Sequence, residues 1–236
     1  MTTTTGIMSA FATLAIAAGC GGCAADDVEP GTDVRVALLV RLEAKPGHEA
    51  DVAALLQGGR ELVMDEPGTP YWVATQLGPQ TFGIFDAFGG DPERQAHLSG
   101  KLAQALLAKA PDLLAQAPVI EPVDVVGRKY DLAAAPAPLR VGLLVRMEAK
   151  AGREAELGAL VEQGAAVVAG EPGTALWFGV RLGPQTFGIF DAFADDGARQ
   201  AHLGGQLAQT LVSRAPDLLA VSPTIEPVDV LATKLP

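Results

Sequence analysis

The chain contains nearly the same sequence twice. Residues 34–129 align with residues 139–234 without a gap, at a constant offset of 105 positions, and about three-fifths of the aligned residues are identical. The longest shared run, LGPQTFGIFDAF, occupies residues 77–88 and returns at residues 182–193. This period is far longer than the ~20–50 residues of a solenoid unit and matches the size of an independent domain. The repeat therefore predicts two copies of one small domain.

The composition indicates a packed core and argues against several partners. Hydrophobic residues make up 49% of the chain and charged residues 19%, which excludes disorder for most of it. The net charge of -11 opposes attraction to phosphate backbones, so no nucleic-acid partner is expected. Cys20 and Cys23 both precede the first repeat, so neither copy uses a disulfide. Their CxxC spacing has no second pair of ligands beside it, and no metal site is predicted.

Residues 1–33 form a leader that matches neither repeat. Its apolar run, residues 6–18, is shorter than the about 20 residues that span a bilayer as a helix, but it has the length of a signal-peptide core. Small residues before Cys20 are typical of a lipoprotein signal, whereas the first ten residues lack the Lys or Arg that begins an export signal. Two interpretations stay open: an exported lipoprotein whose only membrane contact is a lipid on Cys20, and a disordered leader on a cytoplasmic protein.

Four strands are predicted in each repeat. In the first repeat, apolar residues alternate with polar or smaller ones along residues 35–45 and 71–77, and the short run 81–88 follows after a turn. A fourth strand covers residues 119–126. Pro122 lacks a backbone N–H, so this part of the strand is expected at an edge or a bulge.

Two helices separate these strands. Residues 49–64 place apolar side chains at helical spacing, although Gly58 and Gly59 weaken the middle of this helix. A second, longer helix begins at Asp91 and Pro92, since proline is well tolerated in a first turn. The resulting order is that of the ferredoxin-like βαββαβ arrangement, an α+β fold.

A single ferredoxin-like repeat would leave one face of its sheet in water. A second copy covers that face economically, because two such sheets can close into one barrel with the helices outside. We therefore predict a leader (1–33), a first domain (34–130), an Ala/Pro-rich linker (131–138) and a second domain (139–236) that pairs with the first into an intramolecular α/β barrel.

Three short motifs carry a resemblance to a known family. They are the EPGT turn at residues 66–69, the IFDAF strand at 84–88 and the AHL segment at 96–98. With the order of elements, they resemble the antibiotic-biosynthesis-monooxygenase family, and the resemblance covers both repeats but not the leader. It implies the dimeric α/β barrel fold. The wider superfamily also contains haem-degrading enzymes, isomerases and proteins of unknown role.

The resemblance implies a cofactor-independent monooxygenase acting on a small aromatic or quinol compound. In such enzymes the deprotonated substrate supplies the electrons that activate oxygen, so no metal or flavin is needed. Haem is not expected, because the Asn, Trp and His of the haem-degrading branch correspond to Val40, His97 and the apolar stretch around Leu106. The alternative function is a non-catalytic small-molecule-binding or structural barrel, whose lumen would be filled by Trp72, Phe82, Phe85 and Phe88.

Trp72 and its counterpart Trp177 are candidate substrate-binding residues. Trp72 lies in the second strand, opposite the more apolar side that carries Tyr71 and Val73, so its indole is predicted to face the barrel lumen. There it would stack on an aromatic ring or fill the space between the sheets.

Asp86 and Asp191 are candidate catalytic acids or bases. Asp86 lies among apolar residues of the third strand, where an isolated carboxylate is costly. Arg41 on the neighbouring first strand is predicted to pair with Asp86, and Arg146 with Asp191. Such a pair serves either catalysis or stability, and it lowers the pKa of the Asp.

His97 and His202 are the candidate general bases. Each lies early in the long helix, three residues after an arginine, Arg94 or Arg199, which is predicted to share its helix face and contact substrate. The other interpretation is that the imidazole borders the core and forms local hydrogen bonds. The third histidine, His48, is replaced by arginine in the second repeat and receives no role.

Overall fold

The computed structural model describes residues 33–131 and 138–236. The predictions for Cys20, for Cys23 and for the central part of the linker lie outside the described residues. Along the two described ranges, no helix is both long enough and apolar enough to span a membrane.

Each repeat folds into four strands and three helices. The first repeat contains β1 (Val36–Glu43), α1 (Glu49–Met64), β2 (Tyr71–Gln76), β3 (Thr81–Phe88), α2 (Asp91–Leu98), α3 (Lys101–Leu113) and β4 (Val119–Tyr130). The second contains β5 (Val141–Glu148), α4 (Glu154–Val168), β6 (Leu176–Arg181), β7 (Thr186–Phe193), α5 (Asp196–Leu203), α6 (Gln206–Leu218) and β8 (Thr224–Lys234). The predicted α+β class and the ferredoxin-like order of elements are confirmed.

The predicted second helix is broken into two pieces in each repeat. The break falls at Ser99 and Gly100 in the first repeat, and Gly100 has an extended backbone (ψ 175°). A Cβ atom on Gly100 would lie 2.5 Å from Oε1 of Glu66, so the glycine leaves room for that carboxylate. Gly205 does the same for Glu171 in the second repeat, at 2.6 Å.

The eight described strands form one closed antiparallel barrel that both repeats share. The strand order is β1-β3-β2-β8-β5-β7-β6-β4, and the pairs β2·β8 and β4·β6 join the repeats. The first part of β4 pairs with β1 and the remainder pairs with β6, so each last strand crosses from its own repeat to the other. The intramolecular α/β barrel is confirmed. Pro122 lies where β4 pairs with β1 alone.

Both faces of the sheet are buried, one against the helices and one in the barrel lumen. The middle of the lumen is packed by aromatic rings from both repeats: Phe85 stacks on Phe190 with ring centres 4.5 Å apart, and Tyr71 meets Phe178 edge to face at 5.3 Å. The remaining apolar side chains form two further cores, each between the outer face of one repeat and its own helices.

Trp72 and Trp177 face the helices, so the prediction that they face the lumen is wrong. Each indole is fully buried in the core beneath the helices of its own repeat. The alternation in β2 was identified correctly but assigned to the wrong sides, because a strand buried on both faces has no polar face to mark the outside. Of the four residues predicted to fill the lumen, Phe85 is in the lumen core, whereas Phe82, Phe88 and Trp72 lie in the core beneath the helices.

Candidate active site

Asp86 lies on the helix-facing side of β3 and is completely buried. It is directly opposite Leu38 of β1 and Trp72 of β2 in the strand ladders, and both of these side chains also face the helices. The predicted pair with Arg41 is therefore wrong. Arg41 is opposite Gly83, which is on the lumen side of β3. Residues an odd number of positions apart along a strand lie on opposite faces.

Arg41 and Arg146 pair instead with glutamates of the other repeat. Arg41 binds Glu226 through both terminal nitrogens at 3.0–3.1 Å. Arg146 binds Glu121 in the same way at 3.0 Å, so the predicted pair of Arg146 with Asp191 is also wrong. The two arginines thus lie at one mouth of the lumen, on the other side of the sheet from Asp86 and Asp191.

The partner of Asp86 is His97, in the last turn of α2. Its Nε2 lies 3.1 Å from Oδ2 of Asp86, and its Nδ1 lies 2.6 Å from Oε2 of Glu66. The hydroxyl of Thr69 donates to the same Glu66 oxygen at 3.1 Å. The imidazole is only 6% exposed. Three separate motifs, the turn after α1, strand β3 and helix α2, therefore meet at one buried cluster.

The second repeat builds the same cluster. His202 lies 3.3 Å from Oδ2 of Asp191 and 2.6 Å from Oε2 of Glu171, and Thr174 donates to that glutamate at 2.8 Å. One difference is that Oδ1 of Asp191 accepts a hydrogen bond from the backbone N–H of Leu143 at 3.1 Å.

The two imidazoles are held in their charged form. Burial opposes the charge, but the hydrogen bonds and negative charges of Asp86 and Glu66 outweigh it and raise the pKa of His97 to about 9. Asp191 and Glu171 raise the pKa of His202 to about 9 in the same way. Burial raises the pKa of Asp86 and of Asp191, and the neighbouring imidazole opposes this shift.

The aspartates retain unused capacity to accept a hydrogen bond. The contacts between Nε2 and Oδ2 are close ion pairs, but neither Oδ2 atom receives a well-directed hydrogen bond within the described residues. An incompletely satisfied buried carboxylate is uncommon in folded proteins and is frequently found where a ligand or a proton is handled.

A cavity of about 250 Å³ opens beside the cluster of the second repeat, between the sheet and helices α5 and α6. Asp191 and His202 are its polar residues. The rest of its lining is almost entirely aliphatic, including Leu143, Met147, Ile189, Leu207 and Leu211. Val212 and Ile225 line the cavity and are 72% and 48% exposed, so the cavity reaches the surface.

The remaining predicted site residues lie outside this cluster. Arg94 points to the backbone oxygens of Ala37 and Val123 at 3.4 Å and pairs with Asp91, so it anchors α2 to the barrel. Arg199 contacts Gly142 and Asp196 equivalently. Across residues 33–131 and 138–236, no three His, Cys, Asp or Glu side chains are grouped to hold a metal ion.

The sequence interpretation missed Glu66, Thr69 and their counterparts Glu171 and Thr174. The signal was present, because the EPGT turn recurs unchanged in both repeats while the helix before it differs at most positions. The segment was interpreted as a turn and as part of the family resemblance, and neither Glu66 nor Thr69 was given a role in a site.

A closed antiparallel barrel with outer helices, and a buried His–carboxylate cluster under those helices in each half, defines a dimeric α/β barrel formed within one chain. The fold is similar to that of ferredoxin-fold proteins related to the antibiotic biosynthesis monooxygenases, and it is the fold that the sequence resemblance implied.

Two solved structures share this fold over most of the chain. A protein from Fusobacterium nucleatum named "putative monooxygenase" has a TM-score of 0.72 and 13% identity, covering 86% of this chain and 95% of that one. An anthrone oxidase-like protein has a TM-score of 0.58 and 10% identity, covering 86% and 94%. A protein of unknown function from Nitrosomonas europaea is 48% identical over 42% of this chain and 95% of its own length, with a TM-score of 0.41. No protein-family model matches the chain, and no curated protein matches it.

Proposed function

We propose that the protein is a cofactor-independent monooxygenase of a small aromatic or quinol compound, with the chemistry at the His–Asp clusters beneath the helices. The observation that carries this proposal is the cavity in which Asp191 and His202 meet an otherwise aliphatic lining. Ligand sites typically combine an apolar wall with a few convergent polar groups and titratable residues of shifted pKa. One structural neighbour is named "putative monooxygenase", which fits the reaction type, and another is named an anthrone oxidase-like protein, which fits an aromatic substrate.

The aspartate is the proton acceptor in this mechanism. His202 is already protonated at neutral pH, so it cannot take a second proton. Burial raises the pKa of Asp191, which strengthens its carboxylate as a base, and its Oδ2 receives no hydrogen bond from the described residues. A phenolic or activated C–H proton of the substrate therefore passes to Oδ2 of Asp191. The imidazolium, fixed by Glu171, then stabilises the anion that forms.

The substrate anion supplies the electrons for the oxygen step. Molecular oxygen accepts four electrons, all from the substrate: one oxygen atom becomes bonded to substrate carbon, and the other leaves as water with two hydrogens of the substrate, as when a CH2 group becomes a carbonyl. The protein's tasks are to bind the ring, remove the proton and exclude bulk water from the anion. The aliphatic lining binds the ring and excludes water, and Asp191 removes the proton.

A non-catalytic barrel is the second candidate, and the packed middle of the lumen favours it. The stacked Phe85 and Phe190 rings fill the space that a lumen active site would need. This observation argues against chemistry at the centre of the barrel, but it leaves the cavity beneath helices α5 and α6 unaffected.

Oxygen uptake with a dihydroquinone distinguishes the two functions. We expect uptake by the intact protein, and a loss of about 100-fold or more in an Asp86→Asn/Asp191→Asn double variant and in a His97→Ala/His202→Ala double variant. His48→Ala is the matched control, because the side chain of His48 is half-exposed and pairs with Asp51 away from both clusters. Uptake that is unchanged in both double variants would remove these clusters from the mechanism, and no uptake with any quinol would leave the non-catalytic barrel.

A further inference from the structure

A second cavity lies inside the barrel, at one end of the lumen. It has a volume of about 130 Å³ and is lined by residues of both repeats. Its apolar wall comes largely from three pairs of equivalent positions: Leu39 and Leu144, Leu77 and Leu182, Phe85 and Phe190. The barrel wall separates this space from the cavity at His202, because Leu143 lines that cavity while Leu144, the next residue along β5, lines the lumen.

Charged pairs that join the two repeats flank the mouth of the lumen cavity. Arg41 binds Glu226 and Arg146 binds Glu121, and all four residues line the cavity. Arg41 also contacts Glu43 at 3.2 Å, so the two guanidinium groups are paired with three carboxylates. A neutral molecule is compatible with such an entrance, whereas a carboxylate is repelled.

One polar group faces this cavity without a protein partner. Thr75 lines the cavity and is 3% exposed, and its hydroxyl makes no hydrogen bond within the described ranges. The equivalent residue of the second repeat is Val180, so the hydroxyl is present on one side of the lumen only. Gly83, directly across the ladder, has no side chain that would cover it. The hydroxyl can therefore donate to, or accept from, a group that enters the cavity.

We propose that the lumen cavity binds a neutral molecule with one aromatic ring and one hydrogen-bonding group, which pairs with Thr75. The size supports this class, since an apolar protein cavity of about 150 Å³ is known to accept benzene. The leucines and phenylalanines contact the ring, and the single hydroxyl selects a ring that carries an OH or a carbonyl. This site is independent of the proposed oxygenase chemistry, because it lies on the other face of the sheet.

The test is a titration of the intact protein with phenol, benzene and benzoate, followed by NMR on the methyl groups of Leu39 and Leu144. We expect phenol to bind at these methyl groups and benzoate to bind at least about tenfold more weakly. Thr75→Val keeps the shape and removes the hydroxyl. It should weaken phenol about tenfold and leave benzene within about twofold of its original affinity.

Variants that fill the lumen cavity provide a second test of the proposal. Leu144→Phe should abolish binding of both phenol and benzene, and Leu39→Phe gives the same test from the other repeat if the first variant does not fold. Ala208→Phe, which fills the cavity at His202, should leave binding at the Leu39 methyl group unchanged. The proposal is overturned if phenol shifts only the methyl groups around His202, if Thr75→Val weakens benzene as much as phenol, or if benzoate binds as tightly as phenol.

Discussion

Each of the two buried imidazoles lies between two carboxylates, and this arrangement determines its charge. An imidazole with one carboxylate partner is a common general base, whereas one flanked on both sides is stabilised as a cation over the whole neutral range. Because both ring nitrogens are occupied by Asp and Glu, His97 and His202 serve as electrostatic and positioning groups. The proton acceptor is then the aspartate.

The proposed chemistry should consequently fail at high pH. The active form needs a deprotonated Asp191 and a protonated His202, and the imidazole loses its proton as the pH passes its pKa of about 9. We expect the rate of oxygen uptake per enzyme to fall about tenfold per pH unit above that value. A rate that keeps rising from pH 8 to pH 10 after correction for substrate ionisation would instead identify the neutral imidazole as the base.

The same pKa shift makes the stability of the fold depend on pH. The folded-state pKa of His97 is raised from 6.5 to about 9, so its contribution is fully present below about pH 6.5 and is lost as the pH rises through about 9. We expect His97→Ala to lower the free energy of unfolding by about 3 kcal/mol at pH 6, because it leaves Asp86 and Glu66 without their cation. The loss should be clearly smaller at pH 10.

His48→Ala is again the control for this measurement. His48 pairs with Asp51 on the surface, and exposed ion pairs contribute roughly 0–1 kcal/mol. Urea unfolding at both pH values measures both variants, and an equal loss for His97→Ala at pH 6 and pH 10 would contradict a charged imidazole.

At the scale of the elements, the glycine pair in α1 fits the helix to the sheet. Gly59 is buried over the indole of Trp72, and a Cβ atom on it would lie 2.8 Å from Cδ1 of Leu102. A Cβ atom on Gly58 would meet nothing within 4 Å. The second repeat keeps glycine at the buried position, Gly164, and has Gln163 at the exposed one.

Two neighbouring substitutions should therefore have opposite effects. Gly58→Ala is expected to stabilise the protein by up to about 1 kcal/mol, because alanine favours the helix and fits without a contact. Gly59→Ala is expected to destabilise it by about 1 kcal/mol or more, because the clash with buried Leu102 exceeds the gain in helix propensity. Thermal unfolding of the two variants measures both changes, and stabilisation by both would show that α1 can move away from the sheet.

The order of the elements was predictable from the sequence, whereas the faces of the strands were not. Alternation identified β1 to β3 because side chains on a strand have a fixed period of two. The alternation did not show which face of each strand points to the lumen and which to the helices, because both faces are apolar. Trp72 was therefore predicted on the wrong face, and Asp86 was predicted to pair with Arg41. The partner His97 lies on a different element, α2. The apolar stripe of the predicted long helix does not reveal the break at Gly100, which leaves room for Glu66 beside His97.

At the scale of the whole molecule, the crossing strands make each cluster depend on the other repeat. Lys234 at the end of β8 donates to the backbone oxygens of Val63 and Glu66 at 2.8 and 2.5 Å, where α1 ends and the EPGT turn begins. Lys129 of β4 donates to the backbone oxygen of Glu171 at 2.5 Å. The turn that positions the glutamate partner of each histidine is thus hydrogen-bonded to a lysine of the opposite repeat. Each cluster therefore depends on the presence of both repeats in one chain.

This reciprocity predicts crossed effects of single substitutions. Lys129→Met keeps the aliphatic stem but loses the ammonium, so it should loosen the Glu171 turn, lower the pKa of His202 from about 9 toward 6.5 and leave His97 unchanged. Lys234→Met should act on His97 alone, and each variant should lose about 1.5 kcal/mol of unfolding free energy. Lys45→Met is the matched control, because Lys45 donates to the backbone oxygen of Pro111 within its own repeat. NMR titration of the histidines measures the pKa of His97 and of His202 separately. A pKa change confined to the histidine of the mutated repeat would show that each cluster is built by one repeat alone.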